Sequence, residues 1–178
     1  MALTVREMTL DETEIVIDYF HTSTVEHLES MGVDPSRLFS RPVWRQRYAS
    51  DYSKPRAERA FMAVVWLENG APVGFSTADK ITFGERANMH LHVLQPERRN
   101  AGVGVACVRQ TVALYFETLR LKALFCEPNA FNIAPNRTVQ AAGFRYVKTH
   151  TTVPGPLNFH QPVTRWVIER QQHGKGDP

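Results

Sequence analysis

One stretch constrains this chain more than any other: Arg98-Arg99-Asn100-Ala101-Gly102-Val103-Gly104-Val105, set between an alternating run and an apolar segment of helical period. Residues 88–94 before it alternate as a strand does. After it, Val105, Val108, Val112, Tyr115, Phe116 and Leu119 recur with the spacing of one buried helix face, leaving Arg109, Gln110, Glu117 and Thr118 for water. The glycines at 102 and 104 carry no Cβ, so the backbone can turn there and a ligand can approach the main chain closely. The unpaired N–H groups that open a helix, together with its dipole, suit phosphate oxygens, and the arginines add positive charge. A glycine pair by itself is equally consistent with a plain surface turn. The flanking chain must decide.

The 178 residues, 43% hydrophobic and 22% charged, fit one domain over residues 1–170 followed by a polar tail, 171–178. Leu3 to Met8 reads as a short strand. A cap at Thr9 to Asp11 opens a helix carrying Ile15, Val16, Tyr19 and Phe20, which Gly32 ends. Asp34-Pro35 and Pro42 open two further helical pieces, the second holding Trp44 and Tyr48. Phe61 to Leu67 is an almost continuous apolar strand, and Asn69-Gly70 supplies a tight hairpin turn back into Val73 to Ile81. A turn at residues 83–85 leads to the strand Asn88 to Leu94, so three strands run consecutively antiparallel. Beyond the glycine stretch and its helix, Lys122 to Cys126 is a strand that can lie parallel to Asn88 to Leu94, because a helix intervenes. A short helix from Asn136 to Ala142 is stopped by Gly143. The strand Phe144 to Thr151, a proline-rich loop at 153–156 and a last strand Val163 to Ile168 complete the pattern.

Composition narrows the partners. The formal charge is +3 and the pI about 9.0, which suits a small anionic ligand as well as nucleic acid. The basic residues are spread out, and the densest group, Arg37, Arg41, Arg45 and Arg47, supports a nucleic-acid module only as the weaker reading beside a solvated helical pair anchored by Trp44 and Tyr48. Cys107 and Cys126 form no CxxC pair and are expected to be reduced packing residues. No run approaches the ~18 apolar residues of a membrane span, and no signal-peptide pattern opens the chain. A cytoplasmic protein is expected.

The order strand, two helices, three antiparallel strands, R-x-x-G-x-G, helix, strand, helix, two strands resembles the GNAT superfamily of acyl-CoA N-acyltransferases. Arg99 to Gly104 is similar to that family's Q/R-x-x-G-x-G/A signature. The segment Asn132-Ile133-Ala134-Pro135-Asn136-Arg137-Thr138-Val139-Gln140-Ala141-Ala142-Gly143-Phe144 is similar to the N-x-A-S-x-R-x-x-x-x-x-G-F segment of the branch that includes the ribosomal-protein N-terminal acetyltransferases. The resemblance implies an α/β (α+β) fold: a mixed, mostly antiparallel sheet of six to seven strands, helices on both faces, and a splayed parallel pair at its centre. It implies acetyl-CoA as co-substrate, with no metal and no membrane, and an amine acceptor such as a small molecule or a peptide or protein N-terminus. A homodimer is left open. Arg99, Asn100, Ala101, Gly102, Val103 and Gly104 would cradle the CoA pyrophosphate, with Arg98 and Arg137 at phosphates. The pantetheine would pair with main chain near Val93 and Leu94 and meet Asn132. Two positions depart from the pattern: Pro135 stands where the branch has serine, and Val139 where many relatives carry an acidic tyrosine. Neither donates a proton. That departure supports a rival reading, a catalytically inactive acyl-CoA-binding or regulatory module of the same fold.

Transfer to an amine needs a neutral nucleophile, hence a base near pH 7, and a donor for the thioester oxygen. His90 and His92 share one face of the strand that enters the site, with His92 the first choice for the base, and Glu127 ends the neighbouring strand. For either histidine a core or rim position with a satisfied ring nitrogen is the commoner role. A metal on the His-x-His pair lacks a third ligand of recognisable spacing. His150, Trp44 and Tyr48 fall in regions that form the acceptor groove in the family.

Overall fold

The computed structural model describes residues 2–94 and 102–170. Among the described residues, seven strands form one sheet: β1 (Leu3–Glu7), β2 (Met62–Glu68), β3 (Ala71–Thr82), β4 (Arg86–Val93), β5 (Ala123–Cys126), β6 (Arg145–Thr152) and β7 (Gln161–Glu169), in the order β1-β2-β3-β4-β5-β7-β6. All of these pairings are antiparallel except β4 with β5. The described residues also form five α-helices that cover the sheet: α1 (Glu14–Thr22), α2 (Val25–Ser30), α3 (Arg41–Tyr52), α4 (Val103–Leu119) and α5 (Ile133–Ala141). The expected tail, 171–178, lies outside the described residues.

The strand period of two sorts side chains between two cores. On β2, Met62, Val64 and Trp66 pack with Cys107, Val108, Val112, Tyr115 and Leu119 of α4 and Val139 of α5. Ala63 and Val65 face the opposite side, with Val16, Ile17 and Phe20 of α1 and Trp44 and Tyr48 of α3. Each face of the central sheet is therefore apolar, as the unbroken run at 61–67 required. Trp66 is fully buried, and its indole N–H donates to Thr111 Oγ1 at 2.9 Å. Both cysteines are buried and free. The hairpin between β2 and β3 turns on Asn69 (φ 50°) and Gly70 (φ 84°), the pair of left-handed residues expected there.

Three boundaries differ from the sequence expectation. The first helix does not run to Gly32: it breaks at extended Ser23, whose hydroxyl donates to Tyr19 O at 2.6 Å, and restarts with Thr24 Oγ1 accepting from His27 N. A serine–threonine pair can cap from inside a run of helical spacing, because its hydroxyls satisfy the backbone groups that the break exposes. Asp34-Pro35 opens only a 3-10 turn, Pro35–Arg37, capped by Asp34. The short helix begins at Ile133 rather than Asn136, with Pro135 in its first turn, where the missing N–H costs no hydrogen bond. The helix start at Thr9 is as expected: Glu12 N donates to Thr9 Oγ1 and Thr9 N to Glu12 Oε2, a reciprocal capping box.

Candidate functional site

The pairing of β4 with β5 runs from Arg86↔Ala123 to Met89↔Cys126 and stops there, while β4 continues to Val93 against β3. The two parallel strands thus part after Met89, and a cleft of about 620 Å³ opens between them. It is lined by β4 from Met89 to Val93, by Gly102, Gly104 and Val105 at the start of α4, and by residues 132–138 around the start of α5. Leu94 N–H donates to Val73 O at 3.0 Å. Alternation along the strand then directs the N–H and C=O of Leu91 and Val93 to the side where β5 has ended. Leu94 turns its amide away from the cleft and packs its side chain in the α1/α3 core.

At the mouth of the cleft, Gly102 holds φ 76° as the residue preceding α4, and a Cβ built on it meets nothing within 4 Å among the described residues. The first-turn amides of α4 open onto this point. Gly104 serves differently: its Cβ would lie 3.4 Å from the Thr138 methyl, so it lets α4 and α5 approach. Arg98, Arg99, Asn100 and Ala101, expected beside these glycines, lie outside the described residues. Arg137 is exposed at the cleft, and Asn132 sits half-buried as the N-cap position of α5, its side chain making no cap bond. Val139 is fully buried between α4 and the sheet.

A second hollow, of about 740 Å³, lies on the α1/α3 side, walled by Phe20, Phe39, Trp44, Tyr48 and Phe61. His90 and His92 line both spaces. His92 is packed among aromatic rings, 4.8 Å from Phe75, 4.9 Å from Tyr19 and 5.4 Å from Phe20 between centroids. His90 instead has its Nε2 3.2 Å from Asp79 Oδ2. Burial works against the charged imidazole, but the Asp79 carboxylate outweighs it and the His90 pKa is raised above 6.5; the same attraction outweighs burial at Asp79, whose pKa is lowered. Ser76 Oγ donates to His90 O at 2.6 Å and fixes the strand at this point.

Glu127 also lines the cleft, with its carboxylate held by neighbours on the sheet. Its Oε1 accepts from Arg165 at 3.1 Å and lies 3.7 Å from His150 Nε2, and its Oε2 accepts from Asn88 at 3.3 Å. Sequence reasoning missed Asp79 and Arg165 because their roles depend on which strands pair. It also missed Tyr19, which lines the cleft with its hydroxyl 2.8 Å from His27 Nε2. Of the early arginines, Arg37 pairs with Asp34, Arg41 with Asp18 and Arg45 with Glu14, which leaves little of that group as a surface for a polyanion. Among the described residues, no group of three or more His, Cys, Asp or Glu could hold a metal ion, and no helix is long and apolar enough to cross a membrane.

A family model described as an acetyltransferase (GNAT) domain matches residues 2–145. Comparison with curated proteins gives no match. Among solved structures, one of AAC(6')-Ib in complex with ribostamycin and coenzyme A is 18% identical, with a TM-score of 0.76 over 100% of this chain and 99% of that one. A spermidine N-acetyltransferase from Vibrio cholerae in complex with CoA and spermine is 15% identical, with a TM-score of 0.77 over 97% and 98% of the two chains.

Proposed function

Because the chain belongs to the acetyltransferase (GNAT) domain family, a class of CoA-dependent N-acetyltransferases, we propose that it moves an acetyl group from acetyl-CoA to a primary amine by direct attack in a ternary complex. The observation that carries this reading is the junction at His90 and His92, where a cleft with an open strand edge meets a separate aromatic groove. The cleft fits acetyl-CoA. The α4 amides beyond Gly102 and the guanidinium of Arg137 suit its phosphates, the main chain of Leu91 and Val93 suits the amides of the pantetheine, and Asn132 offers a side-chain amide beside it. The family resemblance would add Arg98 to Ala101, which lie outside the described residues, to the same phosphate contacts. Bound there, acetyl-CoA supplies an activated acyl group, and the chain supplies position and proton handling.

We assign the base to His90. Its imidazole accepts the ammonium proton directly or through one water, and Asp79 orients the ring and stabilises the imidazolium that results. His92 forms the wall at which acyl group and amine meet. Glu127 holds Arg165 and Asn88 on the sheet. With Val139 buried, the proton for the departing sulfur is assigned to Tyr19, whose phenol is held by His27.

The test is His90→Gln. Turnover measured by thiol release should fall by about 100-fold with acetyl-CoA affinity unchanged, and loss of the ascending limb of the pH profile should accompany it. A wild-type rate and profile would return the proton to another group. The buried Val139 favours a second reading, CoA binding without turnover, which firm binding with no thiol release over a broad amine panel would support.

A further inference from the structure

The groove on the α1/α3 side carries its own charge pattern, and it does not suit a polycation. Two carboxylates line it, and both already face a cation or an imidazole. Asp51 accepts from Ala60 N–H, Phe61 N–H and Lys54 Nζ at 3.0, 3.1 and 3.2 Å. Asp79 faces His90 through Oδ2, while its buried Oδ1 has no hydrogen-bond partner among the described residues, which leaves room for a single ammonium beside His90. Two cations line it with no carboxylate within salt-bridge distance among the described residues. Arg47 lies over the Phe39 ring at 4.5 Å, and Lys80 donates to the Pro154 carbonyl at 2.6 Å.

Lys80 is placed there by the backbone. It is a non-glycine residue at φ 48°, at the point between Asp79 and Thr82 where the β3–β4 register shifts. A left-handed residue in a bulge re-aims its side chain, here into the groove next to Asp79 rather than to the opposite face of the sheet. Such a conformation costs energy and persists where the surroundings hold it, which links the device to this site. The remaining walls are mainly apolar, with Phe20, Phe39, Trp44 and Phe61 beside Val16 and Leu157.

On the reading that this groove holds the acceptor, we propose that the acceptor is an amino acid-like zwitterion. It has an apolar or aromatic body against Phe20, Trp44 and Phe61, an amine at His90, and an acid group met by Lys80 or Arg47. A polyamine or aminoglycoside, with several ammonium groups, would find cations where it needs carboxylates.

A matched panel tests this: phenylalanine, phenylalanine amide, phenethylamine and spermidine, assayed by thiol release and product mass. Phenylalanine should exceed the amide and phenethylamine by about tenfold or more in kcat/KM, the scale of one charge-assisted contact, and spermidine should be the poorest. Lys80→Asn, which keeps a residue tolerant of the left-handed conformation, and Arg47→Met should each be compared for their preference between phenylalanine and phenethylamine. At least one should lose most of it, and a preference unchanged in both variants overturns the proposal. Spermidine as the best acceptor, or phenethylamine equal to phenylalanine, overturns the proposal and leaves the acetyltransferase reading standing. Thiol release with no amine at all overturns both.

Discussion

Replacing Gly102 with glutamate separates a phosphate cradle from an ordinary helix start. The substitution has two costs of different kind. The first is local: at φ 76° an L-residue gives up about 1–2 kcal/mol, and among the described residues a Cβ there meets nothing within 4 Å. A carboxylate at a helix N-terminus returns about 0.3–1 kcal/mol through the dipole, so the net loss of folding stability should be about 1 kcal/mol. The second cost falls on the ligand alone. At an effective dielectric of about 20, two like charges about 5 Å apart repel by about 3 kcal/mol, which weakens binding on the order of 100-fold. Gly84→Glu is the control. Gly84 has φ 79°, an equally open Cβ position, and an N–H that donates to Leu119 O at the far end of α4. Calorimetric titration with acetyl-CoA and a urea melt on both variants should give a larger stability loss at Gly84, where the carboxylate meets the C-terminal end of the α4 dipole, and a large affinity loss at Gly102 alone. Equal affinities in the two variants would refute the placement of the pyrophosphate.

Further outcomes follow from the same contacts. Because Asp79 raises the His90 pKa, the rate should climb as pH rises through a value above the ordinary imidazole range. Asp79→Asn should shift that limb to lower pH, and an unmoved limb would mean another group titrates. Tyr19→Phe should lower kcat with little change in acetyl-CoA affinity, and an unchanged kcat would leave solvent as the proton source. Gly74→Ala would place a Cβ 2.5 Å from Trp66 Cε3 and 2.7 Å from His92 O, so urea melts should show a loss of about 1–3 kcal/mol or more. Removing the capping carboxylate with Glu12→Ala should cost about 1 kcal/mol at neutral pH. The side-chain bond from Arg6, with Thr9 N–H, holds the Glu12 carboxyl down at about 2. Its contribution is therefore complete above the ordinary carboxyl range and is lost as pH falls through about 2, so wild type and variant should converge in acid.

Much of this was legible in the chain because short-range periods decided it. Alternation at 61–67 and 73–81 around Asn69-Gly70 gave the hairpin, and the glycine turn before an apolar helix gave the parallel crossover to β5. The break at Ser23-Thr24 was hidden, since the same hydroxyls that cap a helix also sit at positions a continuous helix tolerates. At the site, period two put His90 and His92 on one face, but it could not rank them. The ranking comes from neighbours distant in sequence: Tyr19 and Phe20 of α1 enclose His92, whereas Asp79 reaches His90 diagonally across β3 and β4, where Thr77 is the residue directly opposite. Glu127 was chosen for its strand end, and its ion pair with Arg165 arises from β7, whose pairing with β5 no local pattern encodes. Of the aromatic groove only Trp44 and Tyr48 were legible in the chain, through the family resemblance, because its walls come together where α1 and α3 pack against the sheet.

The central claim is that the cleft and the groove work together as an acetyltransferase site meeting at His90. Initial rates of thiol release measured over a grid of acetyl-CoA and amine concentrations, with the N-acetyl product weighed by mass spectrometry, test it most directly. Release should depend on both substrates together, with one acetylated amine formed per thiol and intersecting double-reciprocal lines, as a ternary complex requires. Tight acetyl-CoA binding with no amine-dependent release, or parallel lines with an acetylated protein intermediate, would contradict it.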